Sequence, residues 1–231
     1  MEVVEDVSIP KPEKRVYEGW GNMAVWLVPS SGHRRSVQSN IELENACLLT
    51  SVTQQNVHLT RVFGVQTVDM MISGHVQTCI YTMMEWVSDK DLFDLFAEDM
   101  IHWTDCRLLL NLYQQMKDAL TFMHSHGMYH LDVKPENILC SSSGTFKLCD
   151  FGSMTTSKYI TQNAKNGCGT PCYRAPELNY VDIRILSSAL DLWSLGMILY
   201  VFKRNSFWPE SYVLNHYKFY MRVNFAAEDF F

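Results

Sequence analysis

The segment HGMYHLDVKPENILC, residues 126–140, constrains the fold of this chain more than any other stretch. An aspartate, a lysine, a glutamate and an asparagine fall within positions 132–137, and apolar residues lie on both sides of them. A solvated surface loop needs no flanking apolar residues, and a core segment does not tolerate unpaired charges. We therefore expect this segment to line a cleft.

The composition is that of a folded protein with no general basic surface. The chain has 231 residues, of which 47% are hydrophobic and 19% charged, and this length suffices for one large domain or for two lobes. Its formal net charge of −6 argues against nucleic acid or an anionic membrane as a partner. Seven cysteines without a signal-peptide-like N-terminus, and apolar runs too short to span a bilayer, predict an intracellular protein of the cytoplasm or nucleus with no membrane insertion.

Hydrophobic patterning divides the chain into a β-rich part, residues 1–86, and a helical part, residues 87–231. In the first part we predict a hairpin from RVYEG and MAVWLV, a helix over 41–52, and two further strands from TRVFGVQT and QTCIYTMMEWV. In the second part we predict a helix over 106–124, a hairpin from NILC and TFKLC, and a helix over 188–202.

Two carboxylates and an amide recur at a spacing that suits a metal ion. Asp132 lies in the polar segment, Asn137 five residues later, and Asp150 directly after the predicted hairpin, which would return it to the side of Asn137. Mg²⁺ prefers carboxylate, carbonyl and water oxygens and commonly rests on substrate phosphates. Asp132 would remain to accept the proton of an attacking hydroxyl or to orient that hydroxyl.

Four motifs carry a resemblance to a known family. HLDVKPEN, DFG, GTPCYRAPE and DLWSLG resemble, in order and spacing, the catalytic loop, metal-binding motif, activation-segment end and bracing helix of eukaryotic protein kinases, serine/threonine branch. The resemblance implies an α+β, bilobal protein-kinase-like fold, with a small antiparallel β-rich N-lobe carrying one main helix and a mostly helical C-lobe. It also implies ATP and Mg²⁺ as ligands, and a protein with a serine or threonine acceptor as substrate.

The resemblance extends to single residues of the C-lobe motifs. Asp132 resembles the catalytic base, and Lys134 resembles the residue that neutralises the transferred phosphoryl group. Asn137 and Asp150 resemble the two metal ligands. Thr170 resembles the activation-segment threonine that packs near the base.

Upstream, TMMEWVSDKDLFDL resembles the kinase hinge that receives adenine. By this resemblance Met84 takes the gatekeeper position. The backbone of the segment from Glu85 to Val87 would supply hydrogen-bond partners for adenine. Asp91 would lie near the ribose.

The N-lobe departs from the family pattern. Aligned on the second and third kinase strands, RVYEGWGNMAVWLV places Trp26 where the family has its phosphate-gripping lysine, and an indole cannot replace an ammonium. The expected glycine-rich loop falls on residues 9–14, IPKPEK, which contain no glycine. The helix residue that pairs with that lysine falls on Glu44 or Asn45, and the sequence leaves both open.

Lys14 is a candidate replacement for the missing lysine. With-no-lysine kinases are similar here, because they too lack the strand-three lysine and place one just before VY-x-G, where this chain has Lys14. We predict that Lys14 reaches the phosphate site from strand two; the alternative is a solvated lysine in the run KPEKR. A second alignment takes GWGNMA as the glycine loop, but it leaves only the polar HRRSVQSN as a third strand.

The C-lobe departs from the pattern at two places. Leu131 replaces the arginine that usually precedes the catalytic aspartate and reads an activation-loop phosphate. The weak switch candidates are therefore Thr155, Thr156, Ser157 and Thr161. The sequence ends at Phe231, before the last helices of the family and the arginine that would pair with Glu177. We expect a truncated product, or a protein partner that covers this face of the C-lobe.

Two functions fit these features. The first is an ATP- and Mg²⁺-dependent serine/threonine protein kinase, because every catalytic group of the C-lobe is present. Loss of the lysine contact would lower its rate by on the order of 10²–10³. The alternative is a pseudokinase that acts as a scaffold or allosteric partner, with weak or no nucleotide binding, and Trp26 and the missing glycines favour it.

Overall fold

The computed structural model describes residues 15–16, 23–29, 37–72, 75–98, 105–156, 169–179 and 186–204. The chain forms two compact units, Met1–Val87 and Ser88–Phe231. Among the described residues, no helix combines the length and the apolar character that crossing a membrane requires.

The first unit contains a four-stranded antiparallel sheet. Its strands are β1 (Arg15–Val16), β2 (Met23–Pro29), β3 (Val62–Ile72) and β4 (His75–Glu85), in the spatial order β1-β2-β4-β3. The predicted hairpin is confirmed, because β1 pairs antiparallel with β2. The two further strands are confirmed as β3 and β4, and a register shift between Val62 and Gly64 interrupts their pairing.

One helix, α1 (Val37–Val52), accompanies this sheet. It begins four residues before the predicted 41–52, so part of HRRSVQSN is helical, which favours the alignment that places the third kinase strand on MAVWLV. The hydroxyl of Thr53 joins the helix end to β3, since it donates to Leu49 O at 2.7 Å and accepts from Val62 N at 2.8 Å.

The second unit is built on two long helices. Helix α3 (Cys106–Ser125) and helix α4 (Ala189–Lys203) agree with the predicted 106–124 and 188–202, and they pack against each other. The predicted apolar stripe of α3 is buried except for the half-buried Tyr113; its buried members are Leu109, Leu112, Met116, Leu120 and Met123. A short helix, α2 (Leu92–Ala97), contacts α4 through Phe96, whose ring stacks on Phe202 at 4.6 Å.

A two-stranded hairpin completes the described part of this unit. Strand β5 (Ile138–Cys140) pairs antiparallel with β6 (Phe146–Leu148), as predicted. Gly144 makes the turn with a φ of 79°, in the left-handed region that favours glycine. The backbone N–H of Phe146 donates to Gln115 of α3 at 2.7 Å, so the hairpin is anchored on that helix. Together these elements confirm the predicted α+β fold class.

Candidate active site

A buried carboxylate in the first turn of α4 holds the polar loop, residues 128–137. Asp191 is 1% exposed and accepts hydrogen bonds from the backbone N–H of His130 at 2.9 Å and of Leu131 at 2.8 Å. Its Oδ2 also lies 2.8 Å from Nε2 of His124. The motif DLWSLG predicted the bracing helix but not this role of its first residue. The available signal was a single acidic residue at the start of an otherwise apolar helix.

Left-handed backbone occurs at two residues beside the candidate catalytic groups. Leu131 has a φ of 64° and Asp150 a φ of 57°, and residues other than glycine seldom adopt such values. Each costs on the order of 1–3 kcal/mol, so surrounding contacts must hold them. His130 supplies one such contact, because its buried ring places Nε2 3.1 Å from Cys149 O. The polar loop and the end of β6 are thereby tied together.

Asp132 is the centre of a small hydrogen-bond network. Its Oδ1 accepts from the hydroxyl of Thr170 at 2.8 Å. Its Oδ2 lies 3.2 Å from Nζ of Lys134 and 3.3 Å from Nδ2 of Asn137. The side chain is only 14% exposed, and these contacts restrict the orientation of its carboxylate. The structure thus brings together four of the residues that the sequence singled out.

The hairpin brings Asn137 beside Cys149, the residue that precedes Asp150. Cys149 N donates to Asn137 O at 2.9 Å, which places Asp150 one residue from that contact. The amide Nδ2 of Asn137 donates to the backbone carbonyl of Asp132 at 2.8 Å. Because the oxygen and nitrogen of an amide point in different directions, Oδ1 of Asn137 points away from that carbonyl. The Asp150 carboxylate accepts from Gly152 N at 3.2 Å.

These oxygens fit Mg²⁺. A carboxylate and an amide carbonyl are hard ligands, and Mg²⁺ usually takes only one or two carboxylates beside water and phosphate oxygens. Among the described residues, no group of three or more His, Cys, Asp or Glu side chains could hold a metal ion. The Asp150 carboxylate and the Asn137 amide oxygen are therefore candidate ligands for a metal that also binds substrate phosphates.

Leu131 packs in an apolar cluster. It is 5% exposed, and the other buried members of this cluster are Ala175, Leu178, Leu186 and Leu190. Tyr129 and Trp193 pack against the same cluster. The side chain that replaces the family's arginine is thus part of the core, in contact with the segment that follows Thr170.

Glu136 sits beside the network with a perturbed pKa. Loss of solvent around it raises the pKa of its carboxyl above the usual range, as do the nearby charges of Asp91 and Asp132. A backbone hydrogen bond and the Lys134 ammonium act in the opposite direction and lower the pKa. Burial raises the pKa of the Tyr173 phenol, and the charge of Glu136 adds to that shift. Both pKa shifts indicate that the surroundings of Glu136 and Tyr173 are acidic and partly desolvated.

The predicted adenine and ribose residues lie at the end of one unit and the start of the next. Met84 is buried at 6% exposure and pairs with Ala24 of β2, whereas Glu85 and Val87 are partly exposed. Asp91 belongs to the second unit and caps α2, where its Oδ1 accepts from Asp94 N at 2.9 Å. The roles of these residues toward a nucleotide stay predictions.

The phosphate-side residues of the first unit are only partly described. Residue 26 lies in β2, paired with Thr82, two positions before Met84. In α1, Glu44 is exposed and Asn45 is half-buried. Lys14 lies outside the described residues, and so its predicted role stays a prediction.

Comparison with known proteins gives consistent matches. The family model described as "Protein kinase domain" matches residues 23–225. CBL-interacting protein kinase 24 of Oryza sativa subsp. japonica is 40% identical over 129 residues, which are 54% of this chain and 27% of that protein. CBL-interacting serine/threonine-protein kinase 9 of Arabidopsis thaliana is 32% identical over 171 residues, 72% of this chain and 37% of that protein. The chain therefore spans well under half the length of these curated relatives.

Proposed function

The chain belongs to the protein kinase family, and on that premise we propose that it transfers the γ-phosphate of ATP to serine and threonine hydroxyls of proteins. The observation that carries this proposal is the network around Asp132, in which Thr170, Lys134 and Asn137 all contact one carboxylate. A loose phosphoryl-transfer transition state needs little covalent chemistry, so a preorganised set of polar groups supplies most of the catalysis.

Asp132 would receive the substrate hydroxyl. Thr170 and Asn137 hold its two oxygens by hydrogen bonds, which restricts the orientations in which the carboxylate can accept a proton. Lys134, 22% exposed and 3.2 Å from the same carboxylate, would place its ammonium next to the phosphoryl group in transit. Fixing these groups before substrate arrives lowers the entropy cost of reaching the in-line geometry.

Asn137 and Asp150 would hold the metal. Bound there, Mg²⁺ would offset the negative charge of the ATP phosphates. The left-handed backbone of Asp150 and the hydrogen bond from Gly152 orient its carboxylate, and the bond to Asp132 O orients the Asn137 amide. Each ligand is thus preset by a contact within its own unit.

The role of Lys14 is part of the proposal. The register of β2 supports the alignment in which residue 26 takes the lysine position, because Ala24 pairs with Met84 and Trp26 with Thr82. Strand β2, MAVWLVP, contains no lysine, so a phosphate contact must come from elsewhere. We expect Lys14→Met to abolish ATP binding and Trp26→Lys in that background to restore part of it. Unchanged binding in Lys14→Met would refute this role.

A second candidate function rests on the same strand. A kinase fold without the phosphate-gripping lysine can act as a scaffold or allosteric partner with weak or no nucleotide binding. The absence of lysine from β2 favours this candidate, whereas the intact network around Asp132 favours catalysis. The two candidates predict opposite results in one experiment.

That experiment measures the melting temperature with ATP, with and without Mg²⁺, followed by transfer of labelled phosphate to the chain itself and to a generic serine-containing protein. Asp150→Ala is the test variant, and Asp118→Ala, an exposed position of α3, is its matched control. A catalyst gives a Mg²⁺-dependent shift and phosphate transfer, both lost in Asp150→Ala and kept in Asp118→Ala. A scaffold gives no transfer in any of these proteins.

A further inference from the structure

Arg174 makes a hydrogen bond that does not belong to the network around Asp132. Its Nη2 donates to the backbone carbonyl of Gly169 at 2.7 Å. Its Nε is buried and has no hydrogen-bond partner among the residues that the structure describes. Placing a guanidinium N–H where it has no partner is costly, because the water that bonded it in the unfolded chain is not replaced. A side chain held under that cost is a candidate for a specific task.

The carbonyl that Arg174 binds belongs to a residue pressed against the polar loop. Gly169 has a φ of 75°, and a Cβ built on it would lie 2.7 Å from the carbonyl oxygen of Leu131 and 3.8 Å from Nε of Arg174. Leu131 itself has left-handed backbone and directly precedes Asp132. The backbone at Gly169 therefore packs directly against the backbone of Leu131, the residue before the proposed catalytic base Asp132.

Hydrogen bonds to two successive carbonyls, those of Gly169 and Thr170, hold the backbone at Thr170. On one side, the backbone N–H groups of Tyr173 and Arg174 donate to Thr170 O at 3.0 and 2.9 Å. On the other side, the side chain of Arg174 binds the carbonyl of the preceding residue. The Thr170 hydroxyl, fixed between them, donates to Asp132 Oδ1.

We propose that Arg174 is a positioning residue: by binding Gly169 O it holds Thr170 so that the threonine hydroxyl orients Asp132 for phosphoryl transfer. This role rests on the proposed function. We call this arrangement, formed by residues 169–174 and the polar loop, the clamp. It involves no phosphate group. Arg174 supplies a positive charge in the segment that packs on Leu131. Leu131 is the residue that replaces the family's arginine.

The test compares Arg174→Met with Arg174→Lys in the full chain. The first keeps much of the aliphatic length and loses the donors, and the second retains a cation that can reach Gly169 O. We expect kcat to fall about 10- to 100-fold in Arg174→Met, with KM for ATP nearly unchanged, and to recover partly in Arg174→Lys. Arg107→Met, which removes an exposed arginine of α3, should leave kcat unchanged.

A double-mutant cycle separates positioning from general packing. If Arg174 acts through Thr170, then Arg174→Met added to Thr170→Ala should lower kcat little beyond Thr170→Ala alone. A full additional loss in the double variant overturns the inference, and so does an unchanged kcat in Arg174→Met. Should Arg174→Met fail to fold, Arg174→Gln carries the same comparison with Arg174→Lys.

Hydrogen exchange distinguishes failure of this inference from failure of the proposed function. Wild-type chain that transfers no phosphate contradicts the proposed function, but the clamp is still testable without activity. Backbone amides of residues 128–134 and 169–175 should exchange faster in Arg174→Met than in Arg107→Met. Equal exchange in these two variants overturns the clamp.

Discussion

Replacing Asp191 with asparagine tests how a buried carboxylate holds the polar loop. The side chain is 1% exposed and receives three hydrogen bonds, from His130 N, Leu131 N and the His124 ring. Hydrogen bonds to a charged group contribute about 1.5–3 kcal/mol each. Asparagine keeps the shape but presents an NH₂ group to at least one N–H donor, so one bond is lost outright and the others lose their charge assistance.

The expected loss of unfolding free energy is about 3–5 kcal/mol, comparable to breaking a buried ion pair. Since domains are stabilised by only about 5–15 kcal/mol in total, this change alone removes a large part of the stability. For a chain of this length the melting temperature should fall by about 6–20 °C.

Urea unfolding followed by circular dichroism measures the difference between wild type and Asp191→Asn. Asp118→Asn, on the exposed face of α3, is the control and should change stability by less than about 0.5 kcal/mol. A loss below about 1 kcal/mol in Asp191→Asn would show that the loop is held by other contacts. In that case the left-handed Leu131 backbone needs another explanation.

Three further outcomes follow from single residues of the second unit. Gly169→Ala should destabilise the chain more than Gly144→Ala in thermal unfolding: both positions have positive φ, at a cost of about 1 kcal/mol, but only residue 169 would bring a Cβ to 2.7 Å from another backbone atom. Equal losses would contradict the close approach. Leu131→Arg should lower the unfolding free energy by about 2–5 kcal/mol, because it buries a charge in the apolar cluster; an unchanged melting temperature would count against that packing. Glu136 has a folded-state pKa raised above the ordinary value of 4.5, so its contribution to stability is fully present below pH 4.5 and is lost as pH rises through the folded pKa. The stability of wild type relative to Glu136→Gln should therefore decline from pH 4 to pH 7 in parallel urea titrations, and a rise over that range would reverse the assigned shift.

The helices and strands were predictable because their patterns are local. The stripe Leu109, Leu112, Met116, Leu120, Met123 repeats at helical spacing, and its burial follows from that period alone. The hairpin after the polar loop was predictable from SSSG between two short apolar runs. Helix α1 was predicted too short, because its first turn, VQSN, is polar and carries no apolar period.

The candidate site was only partly predictable. Motif order placed Asp132, Asn137 and Asp150 in one region, since the residues lie close in sequence or are joined by a short hairpin. The role of Asp191 was not predictable, because its partners lie 60 or more residues away and no local pattern indicates a contact at that separation. The bond from Arg174 to Gly169 O is local in sequence, but its importance depends on Leu131 lying beneath it.

Periodicity and motif spacing along the chain were enough to predict the fold class, the family and the candidate polar residues. The contacts that hold those residues become visible only in the folded chain. The buried carboxylate under the loop, the leucine turned into the core and the glycine pressed on Leu131 O each arise where distant segments meet. Such contacts depend on packing in three dimensions, and their energies come from burial and hydrogen-bond geometry that no stretch of sequence specifies alone.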